Sequence, residues 1–537
     1  MATFLKINTT DTVAVALENL AKGSVVNADN FLITLKKTIP QKHKFSLRFI
    51  EKGTAVIMYG VVVGEALQNI EMGELISQEN VCHKTQNVKG KTASWNWHAP
   101  NVKQWEKRTF LGYHRPDGQV GTENIWLFFP LVFCENRNIQ TLKSLFDKVL
   151  HPPKKDDLEL MLTQLIHPES SANKNSSQNP LPSAFENIKI RFLTHQGGCG
   201  GTRQDAQSLA ALLAGYVNNP NVAGATVLSL GCQHLEIKMF EKTLSSLQKK
   251  EGKPILIFDQ QIEGTTENFL KKILQDSVVE IKKANTIQRK PASLDKLSIG
   301  LECGGSDGFS GITANPALGY ISDIIATLGG KALLAEFPEL AGVEQEIVNR
   351  CVSEPLAKKF LSLMQQYEKE ANAVGSGFEM NPSPGNIKDG LITDAMKSAG
   401  AAKKSGSTPI TDVLDYTEYA QKQGVTLLCT PGNDVESTTA LAGSGANLIL
   451  FTTGLGTPTG NPITPVIKVS SNTQLAERMP DIVDFDAGRL ISSSISMDEL
   501  GAELLEMIIA VASGYTTTKA TQLEQFDFIP WKRGVSL

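Results

Sequence analysis

The stretch that decides the fold is LSIGLECGGSDGFSGITANPALGYISDIIATLGG, Leu297 to Gly330. A short apolar run, a glycine-rich turn and a long apolar-periodic segment follow one another, as expected of a strand, a loop and a helix. Pro316 suits the first turn of that helix, because its missing N–H would have no partner there anyway. The plan recurs in IKIRFLTHQGGCGGTRQDAQSLAALLAGYV (Ile188 to Val217), where Thr202 and Asp205 stand in capping-box spacing. It recurs again in GATVLSLGCQHLEIKMFEKTLSSLQ (Gly224 to Gln248) and in VTLLCTPGNDVESTTALAGSG (Val425 to Gly445). Strands alternating with helices predict an α/β layer architecture with parallel strands, and no fixed-period repeat is visible.

Outward from this core the pattern changes. Residues 1 to about 85 read as short β segments, FLITLKK, KFSLRF, TAVIMYG and VVVGEAL, separated by Lys-Gly, Pro and Glu-Lys-Gly turns. From Thr85 to about Lys107 the chain is polar and aromatic without periodicity, which predicts an extended connector lying against another surface. The polar run His167 to Ser183 reads as a surface loop or insertion. We divide the chain into a β module (1–88), a linker (89–108), a middle α/β domain (109–290) and a C-terminal α/β domain (291–537).

At 537 residues the chain exceeds one ordinary core. A net charge of -4 with 20% charged residues gives no basic excess for nucleic acid or anionic membrane. The N-terminus lacks the basic, apolar and small-residue succession of a secretory signal, and no apolar run approaches the roughly 20 residues of a bilayer span. Seven cysteines, an odd number, fit reduced thiols in a cytoplasmic setting.

Ligands of open α/β sheets bind at the carboxyl ends of strands, where loops present amides and helix N-termini. Cys199, Cys232 and Cys303 fall in such glycine-rich turns, HQGGCGG, LGCQH and ECGGSDG. If their parent strands neighbour one another in one sheet, these thiols converge with His195, Asp307 and His234. The plainer reading of each cysteine is a small buried apolar side chain, and Cys82, Cys351 and Cys429 keep it. Asn136 and Asn138, after Cys134, either bind hydroxyls or close a turn. His43 and Lys44 are a polar pair on a strand or a ligand contact. Lys403 and Lys404 read as a solvated face, with contact to a carboxylate the alternative. FTTGLGTPTGNP (Phe451 to Pro462) opens like a dinucleotide loop, but Pro458, Pro462 and Pro465 forbid the following helix, so Gly454 and Gly456 read as carboxylate- or hydroxyl-binding backbone. No P-loop, H-E-x-x-H, C-x-x-C or G-x-S-x-G is present, which demotes the chemistries they carry.

HKF, YHRPDGQVGTEN, HQGGCGG, SLGCQ, LECGGSDGFSGITANP, NPSPGN, TPGNDVESTTALAGSGA, LFTTGLGTPTGNPITPVIK and the terminal GVSL resemble the altronate and galactarate dehydratases, a family that also holds the sulfolactate sulfo-lyases. The resemblance covers nearly the whole chain, and the ECGGSDG and TGLGTPTG runs are closer to the altronate enzymes. It implies a β-clip (SAF) domain, a middle domain used in dimerisation and a C-terminal Rossmann-like variant. It implies a cytoplasmic homodimer that loses water from a sugar acid, giving a 2-keto-3-deoxy acid, with Fe2+ or Mn2+ as activator. For the site, the strand-end loops make His195 and Asp307 the acid/base candidates, and His195, Cys199, Cys232 and Cys303 the ligands of a metal that is either a mononuclear ion or an iron-sulfur centre. The substrate would lie on His43, Lys44, Asn136, Gly304, Gly305, Asn433, Gly454 and Gly456.

Departures are specific. Where family members carry alternating histidines, this chain has GELISQEN, with Leu75, Ser77 and Glu79 and only His83 nearby. Glu123, Gly197 and Ala401 stand where arginine, tyrosine and a cysteine are common. The missing histidines motivate a rival reading, a sugar-acid-binding paralogue without turnover, beside a dehydratase for galactarate or another acid. A thiol-redox protein is the weakest alternative, since no paired cysteines are visible.

Overall fold

The computed structural model describes residues 2–28, 31–150, 157–166, 185–248 and 252–536; the polar run 167–183 lies outside them. Its N-terminal part is a compact all-β module. Phe4–Leu5, Val13–Ala16, Lys44–Ser46 and Leu75–Ile76 form one antiparallel sheet, and Ala55–Met58, Val61–Ala66 and Val81–Cys82 a second. Alternate residues of the hairpin Val25–Ala28/Phe31–Thr34 bury Val26, Ala28 and Ile33 against Phe45. Residues 83–108 then form neither helix nor strand, and Trp95 and Trp97 hydrogen-bond Ser407 of the C-terminal domain through their indole N–H groups.

The middle part is a four-stranded parallel sheet in the order Lys189–Phe192, Ile125–Pro130, Val222–Ser229, Ile255–Asp259. The strand IWLFFP is buried on both faces, as a continuous apolar run in a parallel sheet requires. Its side chains alternate: Trp126 and Phe128 join the core under helices Asn136–Leu150 and Thr266–Ala284. Ile125, Leu127 and Phe129 join the core under Arg203–Asn218 and Ile237–Leu247. The capping box at Thr202 and Asp205 is present as the sequence predicts.

The C-terminal part holds a seven-stranded, wholly parallel sheet: Ile410–Leu414, Gly424–Leu428, Lys331–Leu334, Ser298–Cys303, Leu448–Thr453, Val466–Ser470, Phe485–Asp486. Sequence order runs outward from Leu448–Thr453 to Phe485–Asp486, and on the other side from Ser298–Cys303 to Lys331–Leu334, beyond which Gly424–Leu428 lies inside the earlier strand Ile410–Leu414. In open parallel sheets a ligand crevice forms where neighbouring strands lead to opposite sides, and the pair Ser298–Cys303 and Leu448–Thr453 is this sheet's point of divergence. Helix Arg203–Asn218 crosses Asp434–Gly443 so closely that a Cβ on Gly215 would stand 2.0 Å from the Gly443 carbonyl oxygen. Buried Asn219, Asn221 and Asn447 hydrogen-bond across the same seam, which fixes the two sheets against each other.

Candidate active site

The crevice is lined by the ends of the two central strands. Glu302 and Cys303 end the first, both buried, and Thr452 and Thr453 end the second. Gly304 comes next, and a Cβ there would stand 2.1 Å from Asp434 Oδ2, so only glycine lets the turn and that carboxylate meet. The neighbouring strand Lys331–Leu334 runs into Glu336, held at φ 66 despite its side chain, and then a tight turn carrying Glu339. Such a conformation in a non-glycine residue costs of order 1 kcal/mol or more and persists where packing over-determines it.

These elements bring an ionic cluster together. Cys303 Sγ donates to Glu339 Oε2 at 2.7 Å. Lys404 Nζ donates to Glu336 Oε2 at 2.6 Å and to Cys303 Sγ at 2.9 Å. Lys397 Nζ pairs with Glu339 Oε1 at 2.7 Å. Glu302 Oε2 accepts from Ser437 at 2.5 Å, but Glu302 Oε1 and Glu336 Oε1 are buried with no partner. Burial, then the charge of Glu336, holds the Glu302 carboxyl well above the usual range. Burial, then the charges of Glu336 and Glu339, push Asp434 up to about 7. Glu339 is the exception: burial lifts it, but Lys397 and Lys404 together bring it below its ordinary value. The Cys303 thiol is pushed well up by burial and by Glu336 and Glu339, consistent with an S–H donating to Glu339 while Lys404 keeps the positive charge. On the strand beyond Leu448–Thr453, burial pulls the Lys468 ammonium down to about 7 against the attraction of Asp434. Its Nζ donates to Thr459 of the loop after Leu448–Thr453.

The β module reaches this region through the loop before Lys44–Ser46. Lys42, at φ 72, pairs through Nζ with Asp307 Oδ2 at 2.9 Å. Lys44 Nζ donates to the Gly390 carbonyl at 2.6 Å and is lowered to about 7 by burial, and His43 Nε2 meets the Lys388 carbonyl at 3.0 Å. Asp307 is saturated. It accepts from Phe309 N, Ser310 N, Ser310 Oγ, Ser471 Oγ and Asn472 Nδ2 besides its pair with Lys42. A Cβ on Gly454 would stand 2.5 Å from Asp307 Cγ, so this carboxylate ties the loops after both central strands together. Gly305 and Gly456 lie in those same loops at positive φ. Exposed Asn433 caps helix Asp434–Gly443 through Oδ1.

The remaining residues expected at the site stand elsewhere. The strands leading to Cys199 and Cys232 belong to the middle sheet and the strand carrying Cys303 to the C-terminal one, so the condition for convergence is not met. Cys199 lines a cavity of about 610 Å³ that the chain's last residues close, with Trp531 and Lys532 on its wall. Cys232 is exposed. His195 Nε2 lies 2.8 Å from the Pro130 carbonyl oxygen and Nδ1 accepts from Gly197 N at 3.1 Å, which assigns the neutral Nε2–H tautomer and leaves no free lone pair. Burial lowers this ring to about 4. Asn136 Nδ2 braces the His195 carbonyl at 2.8 Å. Among the described residues, the triads with ligand atoms within 4.8 Å of one another are Cys303, Glu336 and Glu339, and Glu302, Glu336 and Asp434. Of the four residues expected on a metal, Cys303 alone belongs to either.

Sequence reasoning did not name Glu302, Glu336, Glu339, Asp434, Lys397 or Lys468. Glu302 and Asp434 sit inside quoted motifs, LECGG and TPGND, and were legible there as carboxylates at strand ends. Glu336 and Glu339, in AEFPEL, carry no local signal. Lys404 corrects the solvated-face reading: it is 1% exposed because the carboxylates and the thiol together draw its charge inward.

Profiles of three families match in tandem. Residues 2–84 match the altronate/galactarate dehydratase SAF domain, 112–285 the D-galactarate dehydratase/altronate hydrolase second domain, and 294–536 the D-galactarate/altronate dehydratase C-terminal domain. Altronate dehydratase of Bacillus subtilis (strain 168) is 33% identical over 96% of this chain and 96% of its own. Altronate dehydratase of Escherichia coli (strain K12) is 32% identical over 99% of this chain and 100% of its own. Galactarate dehydratase (L-threo-forming) of the same strain is 29% identical over 97% and 95%.

Proposed function

The chain belongs to the altronate/galactarate dehydratase family and is a hydro-lyase of sugar acids, and from that premise we propose that its substrate is D-altronate and its product 2-keto-3-deoxy-D-gluconate. The reaction takes the proton from C2, beside the carboxylate, and expels the C3 hydroxyl as water; the enol so formed becomes the 2-keto product. The observation that supports a site at the crevice is the triad Glu302, Glu336 and Asp434, two buried carboxylates and a half-buried one, with one oxygen each of Glu302 and Glu336 unpartnered.

Buried carboxylates without cations are costly, and an all-oxygen donor set suits a hard divalent ion such as Mn2+ or Fe2+. These three residues fit the metal and would hold it. Bound there, it would supply Lewis-acid stabilisation of charge developing on the substrate's oxygens. Lys468, brought down to about 7, holds a neutral amine available to take the C2 proton at Nζ near neutral pH. The amides of Gly304, Gly454 and Gly456 are spent on the Thr452 carbonyl, the Gly305 carbonyl and Thr453 Oγ1, so these glycines shape the two loops rather than bind the substrate carboxylate. Asp307, tied to both loops and to Lys42, orients them. His195 we assign to bracing the Thr194–Thr202 loop.

Two further assignments go with this reading. The C-terminal sheet is a variant of the Rossmann plan, with Gly424–Leu428 inserted between strands that plan would pair. The middle domain carries the dimer contact of a cytoplasmic homodimer, favoured by the exposed apolar face of helix Asp157–Ile166. Among the described residues no helix is long and apolar enough to cross a membrane.

The test is a dehydration assay on altronate, galactarate and related aldonates with added Mn2+ or Fe2+, reading the 2-keto-3-deoxy product. Turnover of altronate at the highest kcat/KM is expected. A preference for galactarate would replace the substrate, and binding without turnover would leave a paralogue that keeps the fold but not the reaction.

A further inference from the structure

The thiol side of the crevice already contains a cation, and it is the protein's own. Lys404 Nζ lies 2.9 Å from Cys303 Sγ, 2.6 Å from Glu336 Oε2 and 3.8 Å from Glu339 Oε2. Those residues are the triad Cys303, Glu336 and Glu339, whose ligand atoms lie within 4.8 Å of one another. A metal ion bound by all three would need the volume the ammonium fills. We infer that Lys404 is a specificity-determining residue: its ammonium takes the place of a second metal ion on the thiol side, so that the crevice binds one hard divalent cation at Glu302, Glu336 and Asp434. The inference rests on the metal site proposed for those three carboxylates.

Three observations carry it. First, Lys404 is held from behind and cannot simply withdraw. Its carbonyl accepts from Ser322 Oγ of helix Ala314–Thr327 at 2.8 Å, and the adjoining Ser405 is gripped by buried Arg350 through Nη1 and Nη2. Second, the ammonium is enclosed by the groups a metal there would take, Cys303 Sγ at 2.9 Å, Glu336 Oε2 at 2.6 Å and Glu339 Oε2 at 3.8 Å, on a residue 1% exposed. Third, the unpartnered oxygens are Oε1 of Glu302 and of Glu336, whereas Glu336 Oε2, which faces Lys404, is satisfied. Demand for a further cation therefore lies on the oxygen side.

The chemical consequence is selectivity. A thiolate beside carboxylates draws soft or borderline ions such as Zn2+, which would compete with Mn2+ or Fe2+ at an open mixed site. With the Lys404 ammonium filling the space in front of the sulfur, Cys303 Sγ is kept from the ion, which sees oxygen donors.

Titration of the reduced, metal-free, full-length protein with Co2+ tests this, because thiolate ligation adds a near-ultraviolet charge-transfer band that oxygen ligation lacks. The wild type is expected to take up one equivalent with no band that Cys303→Ser removes. Lys404→Met, of similar shape and uncharged, is expected to take up two equivalents and to gain that band, which the double variant with Cys303→Ser loses. A Cys303-dependent band in the wild type overturns the inference, as does a folded Lys404→Met that still takes up one equivalent without the band. Should Lys404→Met not fold, the comparison of wild type with Cys303→Ser decides alone. Glu302→Gln separates the two ideas: if it binds Co2+ as tightly as wild type, the metal reading falls, while the Lys404→Met spectrum still reports on the thiol side.

Discussion

His195 shows how a residue type that invites a catalytic reading is settled by its two ring nitrogens. Both are spent on backbone, so His195→Asn leaves the Pro130 carbonyl or the Gly197 N–H buried without a partner. The expected loss is about 2 kcal/mol of stability, the order for a buried group left unsatisfied. Burial sets the sign of its pH dependence. The folded ring titrates at about 4, below the ordinary 6.5, so the unfolded chain binds the extra proton in between. Stability contributed by neutral His195 is present above pH 6.5 and is lost as pH falls towards 4, with a slope of up to about 1.4 kcal/mol per unit. Urea unfolding of both proteins between pH 4 and 7 should show the gap between them closing in acid; a constant gap would refute the assignment.

At the scale of elements, the turns that leave the strands make the site, more than the strands themselves. Ser298–Cys303 ends on Glu302 and Cys303, and Gly304 turns away so tightly that the N-terminus of helix Asp434–Gly443 can bring its first carboxylate against it. Gly304→Ala places a methyl group 2.1 Å from Asp434 Oδ2, so either the turn or the helix start must shift. Because a displacement near 1 Å at a reacting centre is worth about 100-fold in rate, kcat/KM should fall by roughly that factor. Circular dichroism should be little changed, and Mn2+ should bind more weakly. Wild-type metal affinity in that variant would separate Asp434 from the metal. The turn after Ser298–Cys303 and the helix Ala314–Thr327 beyond it were legible because glycine spacing and an early proline are local signals. The αL turn at Glu336 was not, since no residue in AEFPEL asks for a positive φ; packing around the strand end imposes it.

Across the whole molecule, two parts share the site and the third braces it. The β module sends Lys42 to Asp307, the C-terminal sheet supplies the acids, and the middle sheet is locked on through Gly215 and Gly443. The helix Asp157–Ile166 contributes to none of this. Leu158, Met161, Leu162, Leu165 and Ile166 are all exposed at helical spacing, a stripe that an isolated soluble chain would ordinarily cover. Replacing Leu162 and Leu165 by Glu should convert a dimer into a monomer in sedimentation or light scattering. A wild type that is already monomeric, or a variant that stays dimeric, would remove this helix from the interface.

The sequence by itself determined the α/β class, the all-β start and the kinship with sugar-acid dehydratases, because strand runs, turn glycines, caps and shared motifs are all written in neighbouring residues. It also placed Cys303, Gly304 and Asp307 beside a crevice. Only the tertiary structure decided which groups meet there. Cys199 and Cys232 come after strands of one sheet and Cys303 ends a strand of the other, so thiols alike in local pattern are separated in space. Glu336, Lys404 and Asp434, far apart along the chain and plain in their local sequence, converge because strand order places their loops side by side. Charge buried among those loops has to be neutralised by whatever the fold brings near, and that pairing is a property of topology rather than of any local stretch of chain.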